Sequence, residues 1–252
     1  MITPENQMSG VSEVPEALAI AWGLQEESNR GPTRGLTHES IVSAACEIAD
    51  SDGLAAVTMK RVAESLGFTT MSLYRYVSSK DVLLQLMMDA MIDPEALPDL
   101  SDLDWRTGMK QWAHILRDGY RAHPWALEIP RGQISVMMPH SLALADVGIS
   151  LMQPLHMDDA ERLETILAIT SLVTSTVSLE MDLVRQPDAL VSLSALGELR
   201  EVVDKKSLPF MGPLMLSGDY VGNESDEGDD GLGFDFGLDR LLDGLAVYAG
   251  PA

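Results

Sequence analysis

The sequence is poor in cysteine, in positive charge and in long apolar runs. One cysteine, Cys46, among 252 residues excludes a disulfide scaffold. Only 17 Lys and Arg stand against 39 Asp and Glu, a formal charge of −22. Phosphate contacts need cations, so this overall balance argues against nucleic acid. The least charged stretch, between Glu164 and Glu180, holds 15 residues, seven of them Ser or Thr. A bilayer span takes ~20 apolar residues, so no membrane partner is expected. Met1 to Gly10 carry no basic cluster and no apolar run, which predicts neither a signal nor a transit peptide and places the protein in the cytoplasm. Catalytic patterns are missing as well. His38, His114, His123, His140 and His156 show no H-x-x-x-H or H-E-x-x-H spacing, and there is no Gly-rich phosphate loop and no G-x-S-x-G. No enzymatic activity, no cofactor and no metal are expected. Asp235, Asp239 and Asp243 align at i, i+4 and i+8 but read as a solvated carboxylate column beside Arg240.

Hydrophobic residues are plentiful, at 46%, and the length suits a small domain joined to a larger one. The charge is unevenly spread. Residues 1–29 hold five acids and no base, 93–252 hold 27 acids against 11 bases, and 30–92 hold seven acids against six bases. Between Glu64 and Asp81 no acid occurs, while Arg75 and Lys80 lie within or at the edge of that window and Lys60 and Arg61 just before it.

The first 36 residues, acidic and broken by Pro15, Gly31, Pro32 and Gly35, read as a flexible extension with one short helix near residues 15–24. From there the pattern is helical. Thr37 caps a helix over 38–52 with Ile41, Ala45, Ile48 and Ala49 on one face and Gly53 at its end. Thr58 opens a second, short helix with Met59, Val62 and Leu66 inward, ending at Gly67. Thr69 or Thr70 caps a third of barely two turns, with Leu73 and Val77 inward and Met71, Ser72 and Arg75 outward. Ser79 starts a fourth whose apolar stripe is Val82, Leu83, Leu86, Met87, Ala90 and Met91. Further helices are expected at 104–122, 125–130, 140–153, 158–185, 188–203 and 234–248, with a Gly- and Asp-rich excursion over 217–235. No alternation suggests a strand. The fold class is all-α.

Two short helices joined at Gly67 have the spacing of a helix-turn-helix. A helix that enters a major groove needs an outer face able to reach phosphates and base edges, without carboxylates. Residues 69–80 meet that need. A small bundle with short capped helices and a solvated hydroxyl face has the same pattern, and pattern alone leaves both readings open.

The run T-M-K-R-V-A-E-S-L-G-F-T-T-M-S-L-Y-R-Y-V-S-S-K-D-V-L-L, residues 58–84, resembles the DNA-binding signature of the tetracycline-repressor (TetR) family of bacterial transcriptional regulators. L-G at 66–67, L-Y at 73–74, Y-V at 76–77 and K-D-x-L-L at 80–84 stand in register. The likeness extends over 37–92. A weaker one, carried by D-W-R at 104–106 and F-D-F-G-L-D-R-L-L-D-G-L at 234–245, is to the tetracycline-repressor-like C-terminal subclass. The resemblance implies an N-terminal three-helix DNA-binding domain over 37–92, followed by a larger helical ligand-binding and dimerisation domain over 93–252. It implies that Thr58 and Lys60 touch phosphate or a base, that Thr70, Met71 and Ser72 meet base edges, that Tyr74 and Tyr76 bind backbone or bases, and that Lys80 anchors phosphate. The helical wheel adds Arg75, its most outward residue, as a phosphate contact and puts Tyr76 at the border of the core. Arg30 and Arg34 suggest an arm to the adjacent minor groove.

The family resemblance further implies a homodimer on palindromic operator DNA, paired through the 158–185 and 234–248 helices, and release by a small-molecule effector. The first of those helices interleaves Ala168, Thr170, Ser171, Thr174, Ser175 and Ser178 with Leu167, Leu172, Val173, Val177 and Leu179, small or apolar nearly all round. Trp112, His114, Trp125, Met137, Met138, His140 and Met152 are the expected effector contacts, methionine suiting an adaptable pocket. Residues 125–132 lack the histidine a magnesium-chelated tetracycline would need. The rival reading is a helical protein-interaction module without operator binding.

Overall fold

The computed structural model describes residues 14–24, 36–185, 199, 208–217 and 233–250, and the regular elements among them are all helical. They are α1 (Glu16–Ala21), α2 (His38–Asp52), α3 (Met59–Ser65), α4 (Thr70–Leu73), α5 (Lys80–Ala90), α6 (Trp105–Ala122), α7 (Gln133–Val136), α8 (Pro139–Leu151), α9 (Asp159–Arg185), α10 (Met211–Ser217) and α11 (Phe234–Ala249). Single 3-10 turns lie at Leu54–Ala56, Pro94–Ala96 and Pro124–Glu128, the last overlapping the 125–130 helix expected from sequence. The 188–203 helix apart from Leu199, residues 218–232 of the 217–235 excursion and the Arg30/Arg34 arm lie outside the described residues, while Ser217 ends α10 and Phe234 and Asp235 already belong to α11.

The chain forms two compact units, Met1–Leu100 with Gly119–Gly148, and Ser101–Asp118 with Ile149–Ala252. In the first, hydroxyl caps start each helix of the head. The Thr37, Thr58, Thr69 and Ser79 side chains accept the N–H groups of Ser40, Arg61, Ser72 and Val82, bonds the first helical turn cannot make internally. Ile41, Ala45, Val57, Val62, Leu73, Val77, Leu83 and Met87 are fully buried and form one apolar core. Ala90, expected on the apolar stripe of α5, is exposed, although Met87, Met88 and Asp89 of the same last turn are buried.

Three polar side chains tie α2 and α5 to later segments of the same unit. Asp50 of α2 accepts from His123 Nδ1 at 2.8 Å and from Trp125 Nε1 at 2.6 Å. Gln85 accepts from the Ser135 hydroxyl at 2.8 Å. Asp89, buried at the end of α5, accepts the N–H groups of His140 and Ser141 at 3.1 Å each, capping α8 from outside. Burial raises the Asp89 carboxyl above its ordinary value, against those two bonds. Burial likewise pushes the Cys46 thiol up to about 12, with Asp50 and Glu47 adding to the shift, so this thiol stays protonated.

In the second unit, α6, α9 and α11 enclose Met109, Trp112, Ile169, Val173, Val177, Phe234, Leu238 and Leu242. A buried pair, Arg117 to Glu180 at 2.6 Å, crosses this core, its guanidinium stacked 4.4 Å above the Phe234 ring. The Asp235/Asp239/Asp243 column stays partly exposed, with Arg240 beside Asp243, but it is also ion-paired. It meets a matching column on α6, with Arg106 on Asp239 (3.0 Å) and Asp243 (2.6 Å), Lys110 on Asp239 (2.6 Å) and His114 on Asp235 (2.9 Å). Both columns advance four residues per step, so two antiparallel helices match them rung by rung. By length and composition alone, Asp159–Leu183 would suffice to cross a membrane.

Candidate nucleic-acid interface

The head is built around a tight turn. At the end of α3, the Gly67 N–H bonds Glu64 O at 3.1 Å and the Phe68 N–H bonds Ala63 O at 2.8 Å, with Gly67 at φ +76°. This paired closure needs a left-handed residue, which glycine adopts without a Cβ penalty. Two residues later Thr69 caps α4. Its regular part is only Thr70–Leu73. The chain continues to Val77 partly through tighter bonds, Arg75 N–H to Ser72 O (3.3 Å) and Tyr76 N–H to Leu73 O (2.9 Å). The two turns expected from sequence are thus present, with a 3-10 character in the second.

Leu73 and Val77 are buried, which fixes the orientation of everything between them. Met71 is 74% exposed and Tyr74 44%, Arg75 is exposed, and Thr70, Ser72, Tyr76 and Lys80 are half-buried. Thr58 is exposed as the cap of α3, and Lys60 stands free of the core on the same helix. Ser72 hydroxyl lies 2.9 Å from that of Thr69, and the edge of the His38 ring meets Tyr76 at 5.8 Å between centroids. His38 Nε2 donates to the Tyr76 carbonyl at 3.0 Å and pins the end of the turn to α2. Sequence reasoning missed this contact because 38 residues separate the pair.

Two of the local cations are spoken for. Lys60 faces Glu64 at 3.7 Å and Arg61 pairs with Asp52. Arg75 and Lys80 have no ion-pair partner among the described residues. The outer face of residues 70–80 therefore presents hydroxyls, phenols, one thioether and two cations, without a carboxylate of its own. Such a surface can donate to phosphates and make apolar contact with a thymine methyl.

The residues expected to meet an effector divide between the units. In the first, Trp125 and Met138 are buried, Met137 is 47% exposed and His140 is bonded to Asp89. In the second, Trp112 and Met152 are buried, and His114 is held by Asp235 with its ring 5.4 Å from that of Phe234.

A capped, outward-facing helix α4 following the tight turn after α3 on a small helical head, with a larger helical body behind it in sequence, defines a helix-turn-helix regulator of transcription. Residues 41–87 match bacterial regulatory proteins of the tetR family, and residues 97–248 match the tetracyclin repressor-like C-terminal domain. The chain belongs to this family. It is 33% identical over 248 residues to the HTH-type transcriptional repressor DrrR1 of Streptomyces coeruleorubidus, covering 96% of this chain and 88% of that one. It is 32% identical over 250 residues to an HTH-type transcriptional regulator of Saccharopolyspora erythraea, covering 99% of each. Among solved structures it resembles the Streptomyces coelicolor TetR family protein ActR in complex with actinorhodin, with a TM-score of 0.63 and 25% identity over 86% of this chain and all of that one.

Proposed function

We propose that the chain is a repressor that binds a palindromic operator as a homodimer and leaves it when a small molecule binds. The observation that carries this reading is the outward surface of residues 70–80, which has no carboxylate of its own, is held by buried Leu73 and Val77 and bears Arg75 and Lys80 without ion pairs among the described residues. The proposed contacts are Thr58 and Lys60 to phosphate or a base, Arg75 to phosphate, Thr70, Met71 and Ser72 to base edges, Tyr74 and Tyr76 to backbone or bases, and Lys80 to phosphate. Residues 37–92 act as the reading head and 93–252 as the regulatory part.

One head holds DNA weakly, and two must reach successive grooves about 34–36 Å apart. The exposed face of α9, with Leu163, Leu167, Leu179 and Leu183, and that of α11, with Phe236, Leu241, Val247 and Tyr248, supplies the dimer contact in this reading. The same face carries Ser171, Ser175 and Ser178, and Glu164 and Asp182 flank it, which suits a partner helix better than lipid. The cytoplasm is the proposed location. An effector is proposed on the likeness to ActR, whose solved structure holds actinorhodin. Trp112, His114 and Met152, and in the other unit Trp125, Met137, Met138 and His140, are the proposed contacts.

The test is a binding titration on duplex DNA from the region upstream of the gene, repeated across salt concentrations. Affinity that falls steeply with salt supports the reading, because each neutralised phosphate releases counterions. No binding at low salt refutes it and leaves a helical protein-interaction module. Actinorhodin is the first effector probe, read by thermal shift and by release of bound DNA.

A further inference from the structure

The sequence keeps acids out of residues 65–80, yet the fold brings one there. Glu16, from α1, places its carboxylate on Ser78. The Ser78 N–H donates to Glu16 Oε1 at 2.9 Å, and the Ser78 hydroxyl donates to the other carboxylate oxygen. Ser78 is exposed and lies between Tyr76 and Lys80, two of the proposed DNA contacts. Two convergent donors on an exposed turn, beside a lysine with no ion-pair partner among the described residues, form a seat for an oxyanion, and a phosphate presents the same pair of acceptor oxygens as a carboxylate.

The helix that delivers Glu16 is docked at both ends. Ala17, Leu18 and Ala19 are buried, α1 packs along α5, and Trp22 Nε1 donates to the Met137 carbonyl at 3.0 Å. The contact is nevertheless small, six helical residues with two alanines among the three buried ones. Little apolar area is lost when it lets go. Around it the sequence adds Glu5, Glu13, Glu26 and Glu27 and no base through residue 29. Docking α1 therefore holds the Glu16 carboxylate on the surface proposed to meet DNA, where an exposed charge acts over ~8–10 Å at ordinary salt.

We propose that Ser78 is a further phosphate contact of the reading head, and that in the free protein Glu16 occupies its seat, so that helix α1 competes with DNA. This rests on the DNA-binding reading above. DNA association then requires Glu16 to leave Ser78, and anything that holds α1 in place weakens binding. Neither the sequence window nor the spacing around Ser78 announces this, because the carboxylate arrives from 62 residues upstream.

The experiment uses the full chain and a fluorescein-labelled duplex of mixed sequence, about 30 bp, long enough for two successive grooves. Phosphate contacts are sequence-independent, so the operator need not be known. Glu16→Gln is expected to bind about two- to fivefold tighter than the wild type, the scale of one exposed ionic contact. Adding Ser78→Ala to Glu16→Gln is expected to remove that gain. Hydrogen exchange on the unaltered protein supplies a second readout: the amides of α1 are expected to exchange faster once DNA is bound. Glu16→Gln binding equal to or weaker than the wild type overturns the inference and makes α1 a supporting strut. Tighter binding with α1 still protected in the complex also overturns it, since repulsion without displacement would explain the gain. If the wild type binds and only these changes fail, the DNA-binding reading stands; if no form binds DNA, both fall.

Discussion

Gly67 sits at φ +76° with open space around the position of a Cβ. The cost of a side chain there is conformational rather than steric, so Gly67→Ala should lower stability by about 1–2 kcal/mol, read as a shift in the urea midpoint. An unchanged midpoint would mean that the turn relaxes. Tyr74 and Lys80 stand differently, because neither supports the core. Tyr74→Phe and Lys80→Ala should leave the unfolding midpoint in place and weaken DNA binding, with Lys80→Ala reducing the salt slope by about 1 per head. Lys80→Ala binding like the wild type would remove it as the anchor. Asp89 behaves in the opposite sense to most carboxylates. Burial raises its native value, so the fold favours the protonated form, and stability falls as pH rises from the ordinary 3.8 through that raised value. Asp89→Asn keeps a carbonyl for the His140 and Ser141 N–H groups and loses the ionisation cost. It should be at least as stable as the wild type at pH 7, whereas Asp89→Ala should lose about 1 kcal/mol of capping. Chemical denaturation of the three proteins at pH 7 decides this.

Among the elements, the helices of the head were legible because single residues mark them. Thr37, Thr58, Thr69 and Ser79 each cap the helix that follows, and Gly53 and Gly67 each end one at positive φ. The apolar spacing gave their inner faces, Leu73 and Val77 most directly. What could not be read were the contacts between distant stretches: Glu16 on Ser78, His38 on Tyr76, and Asp50 under His123 and Trp125. Local pattern reports which face of a helix is buried but not what covers it. The aspartate column of α11 is the clearest case, since nothing near 235–243 in sequence points to Arg106, Lys110 and His114. That ladder carries its own pH signature. The Lys110 bond, then the Arg106 bond and both charges, hold the Asp239 carboxyl below its ordinary 3.8. Its contribution is therefore present above that ordinary value and lost as pH falls through the lowered native one. Asp239→Asn should reduce stability at pH 7 by under about 1 kcal/mol, the pair being partly exposed, and the difference from the wild type should close as pH falls through that lowered native value. A gap that persists there would assign the effect to packing instead.

At the scale of the whole molecule, the charge of −22 and a DNA-binding role are compatible because the acids are kept away from residues 65–80 in sequence. Net charge decides little here; its placement does. The exposed leucines of α9 and the apolar end of α11 form a face unmatched among the described residues, which a second copy is proposed to cover. Leu167→Glu should turn a dimer into a monomer by sedimentation while leaving helix content intact, and should cost DNA affinity at least about tenfold, because two linked heads bind far more tightly than one. A monomeric wild type would contradict the proposal. The most direct measurement is selection of binding sites from a random pool of duplexes by the wild type, set against Thr70→Ala and Ser72→Ala. The account predicts a two-fold symmetric sequence whose half-sites lie about one helical turn, or a multiple of it, apart, with altered base preference for the two variants and little change in non-specific affinity. An enriched pool without symmetry, or the same sequences chosen by all three proteins, would contradict it.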